Sequence, residues 1–187
     1  MNKEVTMITG NAWKVSSAQR ALEKYGVNVL HHKIDTPEIQ DTDVRKVAEY
    51  SARYTAKHLQ KPIFLTDAGL KIHALNDFPG AFLKFVNEWF SPSDILLLME
   101  NKSDRTATAI DCLAYCEPGK KPILFYCETP VKIADKAEGE GSTTDQLTLW
   151  PGMDRVQGLI GPDIMTQFWA EHNTIYKQLG EYLAKDV

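Results

Sequence analysis

Cysteine is scarce in this chain of 187 residues, occurring only as Cys112, Cys116 and Cys127. An odd count cannot pair completely, which argues against a disulfide scaffold and for a reducing, cytoplasmic setting. Cys112 and Cys116 stand in a strand-like run with no His or Cys pair at zinc-ligand distance, so buried thiols rather than a metal site are expected there. No apolar run reaches the length of about 18 residues that a membrane span needs. A surplus of basic charge is also missing. Lys and Arg number 21 against 25 Asp and Glu, a net charge of −4, which argues against bulk nucleic-acid binding. Internal repeats and heptad seams are absent, and 43% hydrophobic with 25% charged residues lies near the globular average, so disorder is not expected. The N-terminal residues enter a polar turn at Thr9-Gly10-Asn11 too early for a signal peptide.

What is present is enough chain for one domain with a substantial core, expected to be a single two-lobed domain over residues 1–187. The pattern predicts a strand at 5–9 and then a helix with Val15, Ala18, Leu22 and Tyr25 on one face, stopped by Gly26. A second strand is expected at 27–31, a helix from Asp43 to Pro62, and a third strand at 63–66. Strands alternating with helices in this way imply an α/β fold with a mixed central sheet and flanking helices. Phe78-Pro79-Gly80 reads as a turn, and Ser91-Pro92-Ser93-Asp94 as a helix start with proline in the first helical position. Strand-like runs at 105–116 and 123–128, the latter extended by 131–134, form a β-hairpin expected to belong to a second lobe. Residues 138–145 read as a flexible acidic loop, and the tail from Asp163 is helical. A ligand cleft is expected between the two lobes.

Three places could carry chemistry. Thr9-Gly10-Asn11-Ala12-Trp13-Lys14 falls where a strand gives way to a helix. The first N–H groups of a helix lack internal partners and carry the positive end of its dipole, so an anion is favoured there. Gly10 would permit a sharp turn, Asn11 offers an amide, and Lys14 a full charge; the alternative is a capped helix bearing a surface lysine. Asp67 directly follows the apolar run of the third strand, where the carboxyl ends of α/β strands border a ligand crevice. Glu38 lies in the extended segment Thr36-Pro37-Glu38-Ile39-Gln40. Two carboxylates together with phosphate oxygens suit Mg²⁺, and one carboxylate could activate a water. Their alternatives are a turn aspartate and a solvated glutamate. The third place is Lys84, among Phe82, Phe85, Trp89 and Phe90, where the aromatics alone could pack a core.

The ordered series TGN-x-x-K, P-E-x-Q, hydrophobic-x-D-x-G-L and P-G-x-x-x-K-aromatic, over residues 9–85, resembles the inosine triphosphate pyrophosphatase family. Its members hydrolyse aberrant purine nucleoside triphosphates, such as those of inosine and xanthosine, to the monophosphate and pyrophosphate. The resemblance implies that Thr9, Gly10, Asn11 and Lys14 grip phosphate. It implies that Glu38 and Asp67 hold Mg²⁺, with Asp67 activating the water, and that Lys84 contacts substrate. Asp145 corresponds to a segment lying against the nucleobase, and His172 to a histidine near the C-terminus. The sequence departs from the pattern at Ser17 and Thr66, where the family carries acids, and at Ser51, where it carries a lysine. Thr144 and Gln146 replace an aromatic and a proline, and Asn173 replaces an arginine. Phosphate handling is therefore expected to be retained and base reading altered. Two other readings share the scaffold: a catalytically weakened nucleotide-binding or sensing protein, and a pyrophosphatase for modified pyrimidine nucleotides. The resemblance also implies a homodimer.

Overall fold

The computed structural model describes residues 3–185. In chain order the elements are β1 (Lys3–Ile8), α1 (Ala12–Glu23), β2 (Val27–His32), α2 (Val44–Leu59) and β3 (Ile63–Ile72). There follow β4 (Phe78–Gly80), α3 (Leu83–Trp89), α4 (Pro92–Leu98), β5 (Thr106–Cys116), β6 (Ile123–Ile133), β7 (Thr148–Leu149), α5 (Pro162–His172) and α6 (Thr174–Lys185). The strand order in the mixed sheet is β2-β1-β3-β5-β6-β7, with β4 paired to β3. Among the described residues no helix is long and apolar enough to cross a membrane.

The chain divides into two compact units, Met1–Asp67 with Asp111–Cys127 and Thr166–Val187, and Ala68–Ile110 with Glu128–Met165. In the first unit β1 pairs parallel to both β2 and β3, with a helix in each connection as parallel strands require. Its register sets Ile8 opposite Leu65. The core joins Val5 and Met7 of β1, Leu22 of α1, Phe64 of β3, Leu113 of β5 and Leu179 of α6, each at most 2% exposed. Caps explain the helix limits. The Asn11 side chain accepts from Trp13 N to open α1, and Asp43 accepts from Arg45 N to open α2. Gln60 closes α2 in the left-handed conformation, two residues before Pro62. The C-terminal helical tail is broken at Asn173, whose side-chain oxygen accepts from Ile175 N at 3.2 Å and starts α6.

The second unit buries Leu70, Ile72, Val86, Ile95, Met99, Leu147, Val156 and Met165. A reciprocal capping box between Ser91 and Asp94 opens α4 with Pro92 in its first turn, as expected. Three local expectations are corrected. β3 continues to Ile72, so Asp67 lies within a strand rather than at its end. The apolar run stops at Leu65 because the next residues are only partly covered, not because backbone pairing stops there. Phe78-Pro79-Gly80 is a short strand antiparallel to β3 rather than a turn, since Ile72 and Leu70 supply its partners. The acidic segment is pinned: Glu138 N donates to Gln146 O, Glu140 N to Gly158 O, and Gly158 N to Asp145 O. That approach is backbone against backbone, for a Cβ on Gly139 would sit 2.1 Å from the Gly158 oxygen. The β5–β6 hairpin is shared, its turn-proximal residues 111–127 belonging to the first unit and its far ends to the second.

Gly180 of α6 allows Tyr25 to lie against the helix, since a Cβ there would come within 2.2 Å of the Tyr25 ring. Helix propensity alone would favour alanine by about 1 kcal/mol. The ring contact reverses the sign, and Gly180→Ala is expected to lower stability by about 1–3 kcal/mol in denaturant unfolding. A stabilised variant would show that Tyr25 moves aside freely.

Candidate active site

The first unit brings most of the candidate residues onto neighbouring elements. Residues 9–11 link β1 to α1. Thr9 Oγ1 accepts from Asn11 N at 3.1 Å, and Asn11 Oδ1 accepts from Trp13 N at 2.9 Å. Both side-chain oxygens are thus engaged in shaping the helix start, which leaves the Thr9 hydroxyl hydrogen and the Asn11 amide as donors toward a ligand. Lys14 follows in the first turn of α1, half-buried. The chain bends at Gly10 as expected, without entering the left-handed region. A Cβ there would meet only Lys33 Cε, at an ordinary 3.8 Å. Its lack of a side chain leaves the backbone open to close approach, and Lys33 is a second cation beside it that sequence reading missed. His31 also reaches this loop, with Nε2 2.8 Å from Thr9 O.

Asp67 sits two residues beyond Leu65, the partner of Ile8, so the register brings it level with the start of α1. Glu38 is exposed in the extended segment that precedes α2. That segment is tethered by Ser51, whose hydroxyl donates to Pro37 O at 3.0 Å. A serine in place of the family's lysine therefore acts as a latch on Glu38's segment. Ser17 is buried and donates to Trp13 O at 3.1 Å, also a local structural task. His172 ends α5, exposed, with Nδ1 3.0 Å from Phe168 O and its ring stacked on Phe168 at 4.4 Å. Trp13 and Trp169 meet edge to face at 5.9 Å, which sets the last turn of α5 beside the first turn of α1.

Asp111 was not among the expected site residues. It is the partly accessible position in the otherwise buried stretch 109–116 of β5. Burial pushes its carboxyl up to about 6, opposed by the charge of Lys14 and by a hydrogen bond from the Asn173 side chain, while Asp67 adds to the rise. Asp111 therefore shares one electrostatic neighbourhood with both Lys14 and Asp67. A lone acid inside an apolar strand run was the available sequence signal. The adjacent Cys112 thiol is pushed up to about 12, chiefly by burial, and then by Asp67 and Asp43, which keeps it neutral.

The other two candidates lie in the second unit. Lys84 is exposed in the first turn of α3, and Phe85 packs on Trp89 at 5.0 Å. Asp145 is engaged on both oxygens, Oδ1 accepting from Gln157 Nε2 at 2.6 Å and Oδ2 from Ser142 N at 2.9 Å. Gln157 in turn accepts from Trp150 Nε1 at 2.7 Å. Thr144, standing where the family has an aromatic, is buried and donates from both its N–H and its hydroxyl to Asn87 Oδ1. Here the altered positions build a closed polar network.

These features coincide with a family. The Ham1 family model matches residues 5–150, and the chain belongs to that family. It is 36% identical over 159 residues, 84% of this chain and 85% of the other, to a protein of Methanopyrus kandleri named dITP/XTP pyrophosphatase. It is 31% identical over 138 residues, 71% of this chain and 72% of the other, to the inosine triphosphate pyrophosphatase of Candida glabrata. Among solved structures it resembles the Ham1 protein of Staphylococcus aureus, with a TM-score of 0.78 at 20% identity over 99% of this chain and 100% of that one. A HAM1 protein from Coxiella burnetii follows at 0.77 and 22% identity, covering 98% of this chain and 99% of that one.

The raised Asp111 pKa has a consequence for stability. Its folded value of about 6 lies above the ordinary 3.8, so between those values the folded chain binds more protons than the unfolded one. Stability contributed by this group is therefore fully present below the lower value and is lost as pH rises through the higher. Asp111→Asn removes that loss. The variant is expected to melt above the wild type at pH 8, with the gap closing toward pH 4. An equal gap at both pH values would contradict the assignment.

Proposed function

We propose that the chain is a nucleoside-triphosphate pyrophosphatase that hydrolyses a purine nucleoside triphosphate, of the dITP, XTP or ITP kind, to the monophosphate and pyrophosphate. The observation that supports this reading is the β1–β3 register, which pairs Ile8, just before the turn into α1, with Leu65, two residues before Asp67. The relatives' printed names supply the substrate class. In this reading the N–H groups opening α1, the Asn11 amide, the Thr9 hydroxyl and Lys14 bind the polyphosphate, and Gly10 allows it to approach the backbone. Asp67 accepts the proton of a water attacking the α-phosphorus, and the α–β bond breaks to release pyrophosphate. Lys14 offsets the charge that grows on the departing pyrophosphate. Lys84 and His172 are proposed as further substrate contacts. Asp145 is proposed to serve substrate by holding the 142–157 network in shape.

Magnesium fits the donor set. Among the described residues no group of three or more His, Cys, Asp or Glu side chains converges as a metal cage. Mg²⁺ does not need one, because it is commonly held by one or two carboxylates and completed by water and phosphate oxygens. Glu38 and Asp67 are the carboxylates proposed to hold it, and the ion would withdraw charge from the phosphoryl oxygens. We place the protein in the cytoplasm, a reducing setting that suits an odd number of cysteines. A second copy of the chain is the proposed cover for Trp89 and Leu97, 70% and 67% exposed on the consecutive helices α3 and α4. Light scattering should then give twice the chain mass, and Trp89→Ser should shift it toward the monomer; a monomeric wild type removes the proposal.

Pyrophosphate release from XTP, dITP, ITP, the ordinary triphosphates and modified pyrimidine triphosphates, each with Mg²⁺, tests the activity. Asp67→Asn and Lys14→Ala are each expected to lower turnover by about a hundred- to thousandfold with an unchanged circular dichroism spectrum. Gly10→Ala should leave stability within about 0.5 kcal/mol, as at an ordinary surface position, yet weaken pyrophosphate binding. Near wild-type turnover in either charge variant would refute the roles given to Asp67 and Lys14. Tight nucleotide binding without pyrophosphate release would instead identify a sensor, and release confined to pyrimidine substrates would overturn the purine assignment.

A further inference from the structure

Residues 9–11 are flanked by β2 as well as by α1. The β1–β2 register sets Ile8 opposite His32, and Thr9 N donates to His32 O at 3.4 Å, so the end of β2 runs alongside the loop. His31 Nε2 lies 2.8 Å from Thr9 O. A carbonyl oxygen only accepts, so that ring nitrogen carries the hydrogen and holds the loop to the strand. Two residues on, Lys33 brings its Cε to 3.8 Å from where a Gly10 Cβ would stand. Side chains two apart in an extended chain leave on the same side, which is how both reach the loop. Lys33 is exposed, and among the described residues no hydrogen bond or ion pair holds it.

This distribution of charge runs against the usual pattern. A helix N-terminus carries the positive end of the dipole and is ordinarily matched by acidic side chains in the first turn. α1 has none there, and Lys14 stands in that turn instead. Lys33 adds a further cation from the neighbouring strand. With no ligand, Lys33 and the helix N-terminus repel each other; a polyanion seated at Gly10 relieves that repulsion. We propose that Lys33 is a substrate-binding residue whose ammonium contacts the polyphosphate beside Gly10, from the β2 side of the loop. The inference rests on the phosphate-binding role given to residues 9–14 above and adds to it a cation from a different element.

Binding and stability should respond in opposite directions. Magnesium pyrophosphate is titrated calorimetrically into wild type, Lys33→Gln, Lys33→Arg, Lys24→Gln and Lys14→Ala, and the first two are also melted without ligand. Lys24, exposed at the C-cap of α1, stands the length of that helix away from residues 9–11, so its variant measures what losing one charge does at a distance. Lys33→Gln is expected to weaken pyrophosphate about three- to thirtyfold at low salt, with the gap narrowing as salt is added. Its ligand-free form should melt no lower than the wild type, because a repulsion is removed. Lys33→Arg keeps the charge and should stay within about threefold of the wild type. Wild-type affinity in Lys33→Gln, or a loss matched by Lys24→Gln, overturns the proposal. So does a ligand-free Lys33→Gln that melts below the wild type, since Lys33 would then be serving the fold. Undiminished affinity in Lys14→Ala refutes the role of the loop itself; diminished affinity there with none lost in Lys33→Gln removes Lys33 alone. Pyrophosphate release from XTP by the wild type keeps the activity separate: no release refutes the hydrolysis, whereas the titration still decides on Lys33.

Discussion

The pairing of Ile8 with Leu65 in adjacent parallel strands is the constraint on which the site depends. One strand ends there and yields to a helix; the other continues. The chain is thereby obliged to present a helix N-terminus, with its unpartnered N–H groups, beside a strand position that carries a carboxylate. A shift of β3 by one residue would turn Asp67 to the opposite face of the sheet. What resists that shift is the burial of Phe64 with Val5, Met7 and Leu22, all within the same core. Placement of the candidate site and core packing are thus one requirement seen at two ends of the same strands.

Local signals in the sequence revealed the elements that local chemistry sets. Asn11, Asp43 and Ser91 begin helices as their residue types suggest, because a cap needs only its own neighbours. Asp67 was recognisable as a site candidate, but its place within a long strand was not, since the continuation of β3 depends on partners such as Gly80 that lie ten residues on. The break at Asn173 escaped notice for a related reason. Hydrophobic spacing runs through it, and only the side-chain cap on Ile175 N reveals that two helices meet there.

The departures from the family pattern divide by physical task. Ser17 and Ser51 are structural substitutions, each donating a hydrogen bond to a backbone carbonyl, and neither replaces the charge that is lost. Thr144 joins a network with Asn87, while Asp145 is braced by Gln157 and Ser142. Asp111 arises instead on a different strand. Two acids missing from the motif pattern and one acid carried by another strand cannot be reconciled position by position, which is why the motif pattern alone does not reveal Asp111 in the neighbourhood of Asp67.

The latch from Ser51 to Pro37 has a mechanical consequence. It fastens an otherwise irregular ribbon to the middle of α2, so Glu38 hangs one residue from an anchor on a rigid rod. A backbone shift at Glu38 must therefore stretch the tether or carry the rod along, whereas its carboxylate can still swing by rotation about the side-chain bonds.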